Sequence, residues 1–302
     1  MIPAKDKYQL RNWELVSVNP NKRDWYWVDF FNFWAVSIQS IIGFSLIASL
    51  YLLYDLNSII VLAGTIFAGL IVYVFTNIIG KISQSSGLSF PVILRISFGF
   101  NGARFVGMTR GFIGIFMFGV QTFFISKSLG YIFRIIIYKI DPQLIDHEFF
   151  LMFFFGLNAI DWSALIITLI LQFILFTQSP SFNKSFIRFS SVFTYIGLIV
   201  FLIIILSEHY NELVSSLKLS TNINNVISKN NIYPFISITG TMFAYFSILL
   251  VNYGDFARYA KNNGEMKKGN LSLLLNIIIF SFFALLICLG SDIILTKNAI
   301  SV

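Results

Sequence analysis

Seven long apolar runs constrain what this chain of 302 residues can fold into more than any other feature. A helix needs about 20 mostly apolar residues to cross a bilayer. The runs cover residues 27–54, 57–80, 105–138, 161–177, 186–207, 233–256 and 270–295. Charged residues make up only 12% of the chain, against about 25% in soluble domains, and the runs do not alternate as the strands of a membrane barrel would. The sequence therefore predicts an all-α polytopic membrane protein with about seven transmembrane helices.

The basic residues between the runs predict how the chain is oriented. Most of the 21 Lys and Arg residues lie in segments on the same side as the N-terminus, and basic loops stay in the cytoplasm. We therefore expect a cytoplasmic N-terminal segment over 1–26 and a transmembrane domain over 27–302 in the plasma (inner) membrane. This asymmetry accounts for the net charge of +7 without nucleic acid, whose binding would need a basic patch on a soluble module.

The inventory of reactive side chains argues against catalysis. Cys288 is the single cysteine, and His147 and His209 are the two histidines, so an internal disulfide or a Cys/His metal site is not expected. No nucleophile–base pair or pair of carboxylates at a useful spacing stands out. The sequence predicts that the protein is not an enzyme and holds no resident cofactor.

Polar side chains inside the first apolar run predict a weak point in its helix. Ser37, Gln39 and Ser40 lie close together, and their side chains can compete for backbone hydrogen bonds. An unwound segment would free carbonyls for a cation and helix ends for a substrate. The alternative is that these side chains only join the helix to its neighbours.

The third run carries small residues and two polar groups. Gly107, Gly111 and Gly114 fall on one helical face, which predicts close packing against another helix. The amide of Gln121 offers two donors and an acceptor, which suit the edge of a heterocyclic base. Lys127 is predicted to reach the outer membrane surface with its ammonium group.

Shorter segments predict surface features. Trp25–Trp27 is expected to anchor the chain at the inner interface. Residues 87–102 are predicted to form a loop or a short surface helix, and residues 149–157 an interfacial or re-entrant patch. The polar residues 208–232 are predicted to form a solvated outer loop. Asp255 and Arg258, three residues apart, are expected to form an ion pair at the cytoplasmic exit of the sixth run.

Four segments resemble one transporter family. Residues 252–260, NYGDFARYA, resemble the signature at the end of helix six of the nucleobase-cation-symport-1 family. Residues 33–39, FWAVSIQ, and 118–122, FGVQT, resemble its first and third helices, and Pro91 with residues 98–102 resembles its loop between helices two and three. The family comprises permeases for cytosine, purines, uracil, thiamine, allantoin and hydantoins.

This resemblance implies a fold with internal symmetry. The family has the leucine-transporter fold of twelve helices in two inverted repeats, with substrate and cation beside discontinuous helices one and six. The first repeat would cover about 27–207 and an incomplete second repeat about 233–302. Because the chain ends shortly after its seventh run, the resemblance implies a C-terminal truncation.

The resemblance also assigns binding roles. Gln39 and Gln121 would hydrogen-bond a flat polar ring, and Phe246 would stack on it. Met117 stands where the family usually has a Trp, so half of an aromatic sandwich is absent and the substrate is expected to differ from the usual bases. The backbone carbonyls of Ala35 and Ile38 would contact the coupling ion, Na⁺ or H⁺, and no other metal is expected. The helix-six signature comprises Asn252, Gly254, Asp255 and Arg258, of which Asn252 is also a substrate-contact candidate.

The sequence thus predicts a secondary active transporter that imports a nucleobase, hydantoin or ureide with a coupled cation by alternating access. The alternative is a complete seven-helix receptor or sensor. A cytoplasmic N-terminus does not fit the commonest receptor topology, and the seventh run has no lysine for a retinal Schiff base. The substrate, the coupling ion and the oligomeric state stay open at this point.

Overall fold

The computed structural model describes residues 15–52, 57–144, 152–221 and 232–300. The helices there are α1 (Trp27–Ile38), α2 (Ile41–Leu52), α3 (Ser58–Ser86), α4 (Phe90–Ile140), α5 (Ala159–Phe176), α6 (Pro180–Ser220), α7 (Ile232–Ala257) and α8 (Asn263–Ile300). Strands β1 (Phe153–Phe154) and β2 (Leu157–Asn158) form a short antiparallel hairpin before α5.

The helices have the length and composition of membrane spans. Each helix from α3 to α8 contains a segment that is long and apolar enough to cross a bilayer, and the bent pair α1–α2 makes a seventh span. The predicted all-α polytopic membrane fold is therefore confirmed, whereas the inverted repeats and their boundaries stay predictions. The chain divides into a first unit, residues 1–99 and 185–302, and a second unit, residues 100–184.

The first span is broken where the sequence predicts a weak point. Helix α1 ends at Ile38, α2 begins at Ile41, and the two axes differ by 58°. Ser40 stabilises the break because its Oγ accepts a hydrogen bond from the Gly43 N–H at 3.1 Å, as an N-cap does. The same Oγ lies 2.5 Å from the Tyr245 hydroxyl of α7, which fixes the break against another span.

The second break that the resemblance implies, in span six, is wrong for this structure. Helix α7 runs without interruption from Ile232 to Ala257. Its buried side chains recur every three or four residues, as expected of a continuous helix with one packed face. They are Ile238, Met242, Phe246, Leu250, Tyr253 and Ala257. The seam packs along α3, and this uninterrupted contact supports a straight span.

Aromatic side chains fill the core of the first unit. Trp34 of α1 stacks on Tyr253 of α7 with ring centroids 5.1 Å apart, and both are fully buried. Trp25 is buried too, and its backbone forms a parallel bridge with Ala260. The prediction that Trp25 is only an interfacial anchor is therefore wrong, although Tyr26 and Trp27 are exposed.

Buried polar groups in the first unit form a chain across three helices. The Tyr253 hydroxyl donates to Asn270 Oδ1 on α8, and Asn270 Nδ2 donates to Asn77 Oδ1 on α3 at 3.1 Å. Buried amides are costly unless they are hydrogen-bonded. This network therefore satisfies its members and fixes the relative positions of α3, α7 and α8.

Three connecting segments refine the predictions. Residues 87–102 contain the predicted short helix, which begins at Phe90 and breaks at Gly99, where φ is +65°. The predicted outer loop is wrong over 208–220, because α6 continues past a kink at His209 to Ser220 and buries Leu213 against the core. Part of the 149–157 patch lies outside the described residues, and the rest is the exposed hairpin.

A buried carboxylate joins α4 to α5 in the second unit. Asp161 Oδ2 lies 2.7 Å from Lys127 Nζ, and its Oδ1 lies 2.7 Å from Arg134 Nη2, while the Asp161 side chain is 6% exposed. Asn158 begins α5 by accepting the Asp161 N–H at 2.9 Å. Lys127, predicted to reach the outer membrane surface, is 31% exposed, and its ammonium group is one of the two cations of this ion cluster.

The glycine face of the third span has no close neighbour in the described structure. A Cβ placed on Gly107, Gly111 or Gly114 would meet no atom within 4 Å. The predicted close packing of another helix on this face is therefore not seen among residues 15–52, 57–144, 152–221 and 232–300.

Candidate functional site

The break in the first span places a buried amide at its centre. Gln39 ends α1 with φ −72° and ψ 86°, and its N–H still donates to the Ala35 carbonyl at 3.2 Å. The side chain is buried, with 8% of the residue exposed. Neither its Nε2 nor its Oε1 has a hydrogen-bond partner among the described residues. An amide in this condition carries a desolvation penalty of about 1–3 kcal/mol for each unsatisfied group.

The polar residues beside Gln39 are engaged elsewhere. The Tyr195 hydroxyl of α6 donates its proton to Asn276 Oδ1 on α8, and the same oxygen is the polar group that the Gln39 side chain approaches, outside ordinary hydrogen-bond length. Asn276 Nδ2 donates to the Ser272 carbonyl at 2.8 Å and to the Phe31 carbonyl at 3.4 Å. The Tyr195–Asn276 pair therefore ties α6, α8 and α1 together, while Gln39 Oε1 has no donor within hydrogen-bond distance among the described residues.

The predicted cation ligands lie directly before the break. Ala35 and Ile38 are both fully buried on α1. The last carbonyls of a helix lack intrahelical partners, which is the physical basis for cation binding here, and the Ala35 carbonyl already accepts the Gln39 N–H. A carbonyl oxygen has a second lone pair, so this bond is compatible with a cation contact.

Two predicted substrate contacts on α7 lie in different surroundings. Phe246 is fully buried in the core of the first unit, edge-to-face with Phe280 at 6.1 Å and tilted against Tyr245 at 5.3 Å. Asn252 is exposed. Phe246 shares the aromatic core with Phe280, which stacks on Phe44 of α2, just after the break.

The helix-six signature has a structural explanation in this chain. Gly254 allows α7 to approach closely, because a Cβ there would lie 2.9 Å from Ser83 Oγ and 3.2 Å from Phe90 Cβ. Asp255 Oδ1 accepts the Phe90 N–H at 2.9 Å and so caps the start of α4, while Arg258 Nε donates to the Asp255 carbonyl at 3.2 Å. The signature thus joins the end of span six to the segment that follows span two.

The remaining site candidates belong to the second unit. Gln121 is exposed on α4, and Met117, one turn before it, is half-buried. The next residue, Thr122, donates to Gln172 Oε1 on α5 at 3.1 Å. This bond and the Asp161 cluster fix α4 against α5, which sets the face of α4 on which Gln121 lies.

Sequence reasoning did not find Tyr195 or Asn276. Both lie in apolar runs, as Phe-Thr-Tyr-Ile and Leu-Leu-Asn-Ile, and a single polar residue in a span is a signal of a buried hydrogen bond or a site. That signal was present, but it does not tell which helices meet. Among the described residues, no group of three or more His, Cys, Asp or Glu side chains could hold a metal ion.

Comparison with known proteins connects these residues to transporters. The family model described as "Permease for cytosine/purines, uracil, thiamine, allantoin" matches residues 17–302. An allantoin permease of Bacillus subtilis (strain 168) is 34% identical over 122 residues, which cover 40% of this chain and 25% of the relative. The purine-uracil permease NCS1 of Arabidopsis thaliana is 22% identical over 290 residues, covering 94% of this chain and 46% of the relative. No solved structure matches the chain significantly.

These matches test the broad predictions. The chain spans less than half the length of the curated relatives it matches. Both relatives are named as permeases, which agrees with the prediction that the chain is not an enzyme and gives no support to the receptor alternative. The apolar helices make it an integral membrane protein. Because the family match covers nearly the whole sequence, this chain belongs to the family of permeases for cytosine/purines, uracil, thiamine and allantoin.

Proposed function

We propose that this chain acts in secondary active transport and imports a nucleobase or a related heterocycle or ureide together with a cation. The observation that carries the proposal is the Gln39 amide, which is buried at a broken transmembrane helix with no hydrogen-bond partner among the described residues. Natural proteins satisfy almost all buried polar groups, so an orphan amide of this kind indicates a missing partner. A flat solute with adjacent N–H and C=O groups would pair with both of its ends.

The broken helix supports the ionic part of the proposal. Discontinuous spans in transporters expose carbonyls that bind coupling ions and helix ends that bind substrates. Here the break lies between Ile38 and Ile41, directly after the Ala35 and Ile38 carbonyls. We propose that these carbonyls contact Na⁺, or that a proton takes the coupling role, and that the two half-helices move during alternating access.

The other candidates on α7 and on the third span are proposed as substrate contacts from the family motifs alone. Phe246 would contribute the ring face, and Gln121 with Met117 would contribute from the third span, as the family motifs imply. Asn252, exposed on α7, would be a further substrate contact. The proposed setting is the plasma membrane with the N-terminus in the cytoplasm, as the distribution of Lys and Arg favours.

Ligand binding by the purified chain tests the proposal. Radiolabelled allantoin, uracil, cytosine, adenine and hydantoin should be offered in detergent micelles with and without Na⁺, and we expect saturable binding of at least one of them. Gln39→Ala and Gln121→Ala should each weaken this binding about tenfold, the value of one good hydrogen bond. Gln178→Ala is the control, since Gln178 is exposed just after the end of α5 and donates to the Ile174 carbonyl of that helix. Absence of binding for every compound contradicts the proposal.

A further inference from the structure

An open apolar groove lies at the end of the first unit where α1 and α8 begin. It has a volume of about 690 Å³. Trp27 and Phe31 of α1 line one wall, and Lys268, Leu271 and Leu275 of α8 line the other. Trp27 is 47% exposed, Leu271 57% and Leu275 50%. The groove is separate from the Gln39 break and from the helix-six signature, so the proposed transport site does not account for it.

Polarity changes along the groove in one direction. Helix α8 starts with polar and charged residues, Asn263 to Lys268, and turns apolar at Leu271. Lys268 and Leu275 are seven residues apart, so they are about 10 Å apart along the helix axis. The groove therefore has a cationic end at the start of the span and an apolar end deeper in the hydrocarbon.

A charged lipid matches this gradient. Exposed apolar surface at the membrane contacts acyl chains, and basic groups beside transmembrane helices bind anionic headgroups. Glu265, one turn before Lys268 on α8, accepts the Trp27 N–H at 2.9 Å, and no carboxylate among the described residues forms a salt bridge with Lys268. An apolar protein helix in the groove would bury this ammonium group without a partner, at a large desolvation cost, whereas a phospholipid supplies a phosphate at the level of Lys268 and a hydrocarbon chain below it.

We propose that this groove binds an anionic glycerophospholipid, with one acyl chain against Trp27, Phe31, Leu271 and Leu275 and its phosphate against Lys268. The bound lipid joins the first half of the broken span to α8. Because it binds the folded pair of helices, it stabilises their contact by mass action. The site holds regardless of which solute the protein transports.

Quenching of Trp27 fluorescence tests this site. The chain is reconstituted in phosphatidylcholine vesicles that contain phosphatidylglycerol brominated on its acyl chains, or the same fraction of brominated phosphatidylcholine. The Trp27 signal is the difference between the chain and its Trp27→Phe variant. We expect brominated phosphatidylglycerol to quench Trp27 more strongly than brominated phosphatidylcholine at equal mole fraction.

Two pairs of variants separate the groove from general surface charge. Lys268→Gln should weaken the preference for phosphatidylglycerol about fivefold, the value of one cation near an anionic lipid, and Lys81→Gln, at an exposed cation of α3, should leave it unchanged. Leu275→Phe should reduce quenching by filling the groove, whereas Leu70→Phe on α3 should not. Three outcomes would each overturn the proposal. The two brominated lipids could quench Trp27 equally, or Lys268→Gln and Lys81→Gln could have equal effects. Trp27 could also show no quenching, because protein covers the groove.

Discussion

Replacement of Gln39 by leucine should stabilise the ligand-free protein. The amide is buried, and both of its polar atoms lack partners among the described residues. Each such group carries a penalty of about 1–3 kcal/mol, and the branched side chain of leucine returns part of the gain through imperfect packing, about 1 kcal/mol. The two groups together cost about 2–6 kcal/mol, so we expect Gln39→Leu to raise the free energy of unfolding by about 1–5 kcal/mol while ligand binding is lost.

Asn276→Leu is the matched variant with the opposite sign. Asn276 is also a buried amide in a span, but it accepts the Tyr195 hydroxyl and donates to two carbonyls. Its removal leaves those groups unsatisfied, and the cost is about 1–3 kcal/mol. Two chemically similar substitutions should thus change stability in opposite directions.

The assay is reversible unfolding in mixed micelles titrated with sodium dodecyl sulfate, followed by circular dichroism without ligand. The difference between the two variants, rather than either absolute value, carries the test because the unfolded reference is common to both. If Gln39→Leu destabilises the chain as much as Asn276→Leu does, the Gln39 amide has a structural partner and the reasoning for a solute site at the break is refuted.

Three further perturbations follow from the structure. Asp161→Asn should lower the free energy of unfolding by about 3 kcal/mol, because two charge-assisted hydrogen bonds at about 1.5 kcal/mol each are lost. The control Asp141→Asn, at an exposed site, should lower it by less than about 0.5 kcal/mol. The same unfolding titration measures both variants. Gly43→Ala should cost about 2 kcal/mol through overpacking, since the new Cβ would lie 2.7 Å from the Tyr245 hydroxyl, and an unchanged midpoint would contradict that contact. The hydrogen bond from Lys261 to the Tyr26 hydroxyl raises the pKa of Lys261 above its ordinary 10.5; this contact is complete below pH 10.5 and is lost as pH rises through the folded-state pKa. Tyr26→Phe should therefore speed acetylation of Lys261, measured by mass spectrometry between pH 9 and 11, and an unchanged rate would count against the contact.

Span positions followed from the sequence because a bilayer imposes one strong physical requirement. About 20 apolar residues are needed for each crossing, and runs of this length can be recognised in the sequence without knowledge of contacts. The break at Gln39 was also predictable, since Ser37, Gln39 and Ser40 compete locally with the helical hydrogen bonds. The continuity of α7 was not predictable. The buried residues from Ile238 to Ala257 stabilise this helix through contacts with α3, and a local sequence pattern carries no information about such contacts.

The role of each buried charge depended on partners that are distant in sequence. Lys127 and Asp161 are 34 residues apart. Lys127 lies where a cation at the end of a span is expected, so the sequence alone does not indicate its partner. Only the packing of α4 on α5 shows that they pair. Asp255 likewise has a contact that its spacing to Arg258 does not predict, because it caps α4 through Phe90, 165 residues earlier.

Polar residues in the spans of this protein separate into two groups by whether their hydrogen bonds are satisfied. Tyr253, Asn270 and Asn77 satisfy one another across three helices, and Ser40 caps a helix while it contacts Tyr245. Their hydrogen bonds explain why these residues are buried, because breaking any of these bonds would leave a donor or acceptor unsatisfied in hydrocarbon. Gln39 differs, since both ends of its amide lack a hydrogen bond within ordinary length among the described residues, whereas Trp34 and Ser191 each have a single buried atom in that condition. Composition counts all of these residues equally, so the proposed solute site rests on the two unsatisfied ends of the Gln39 amide at the helix break, rather than on polarity itself.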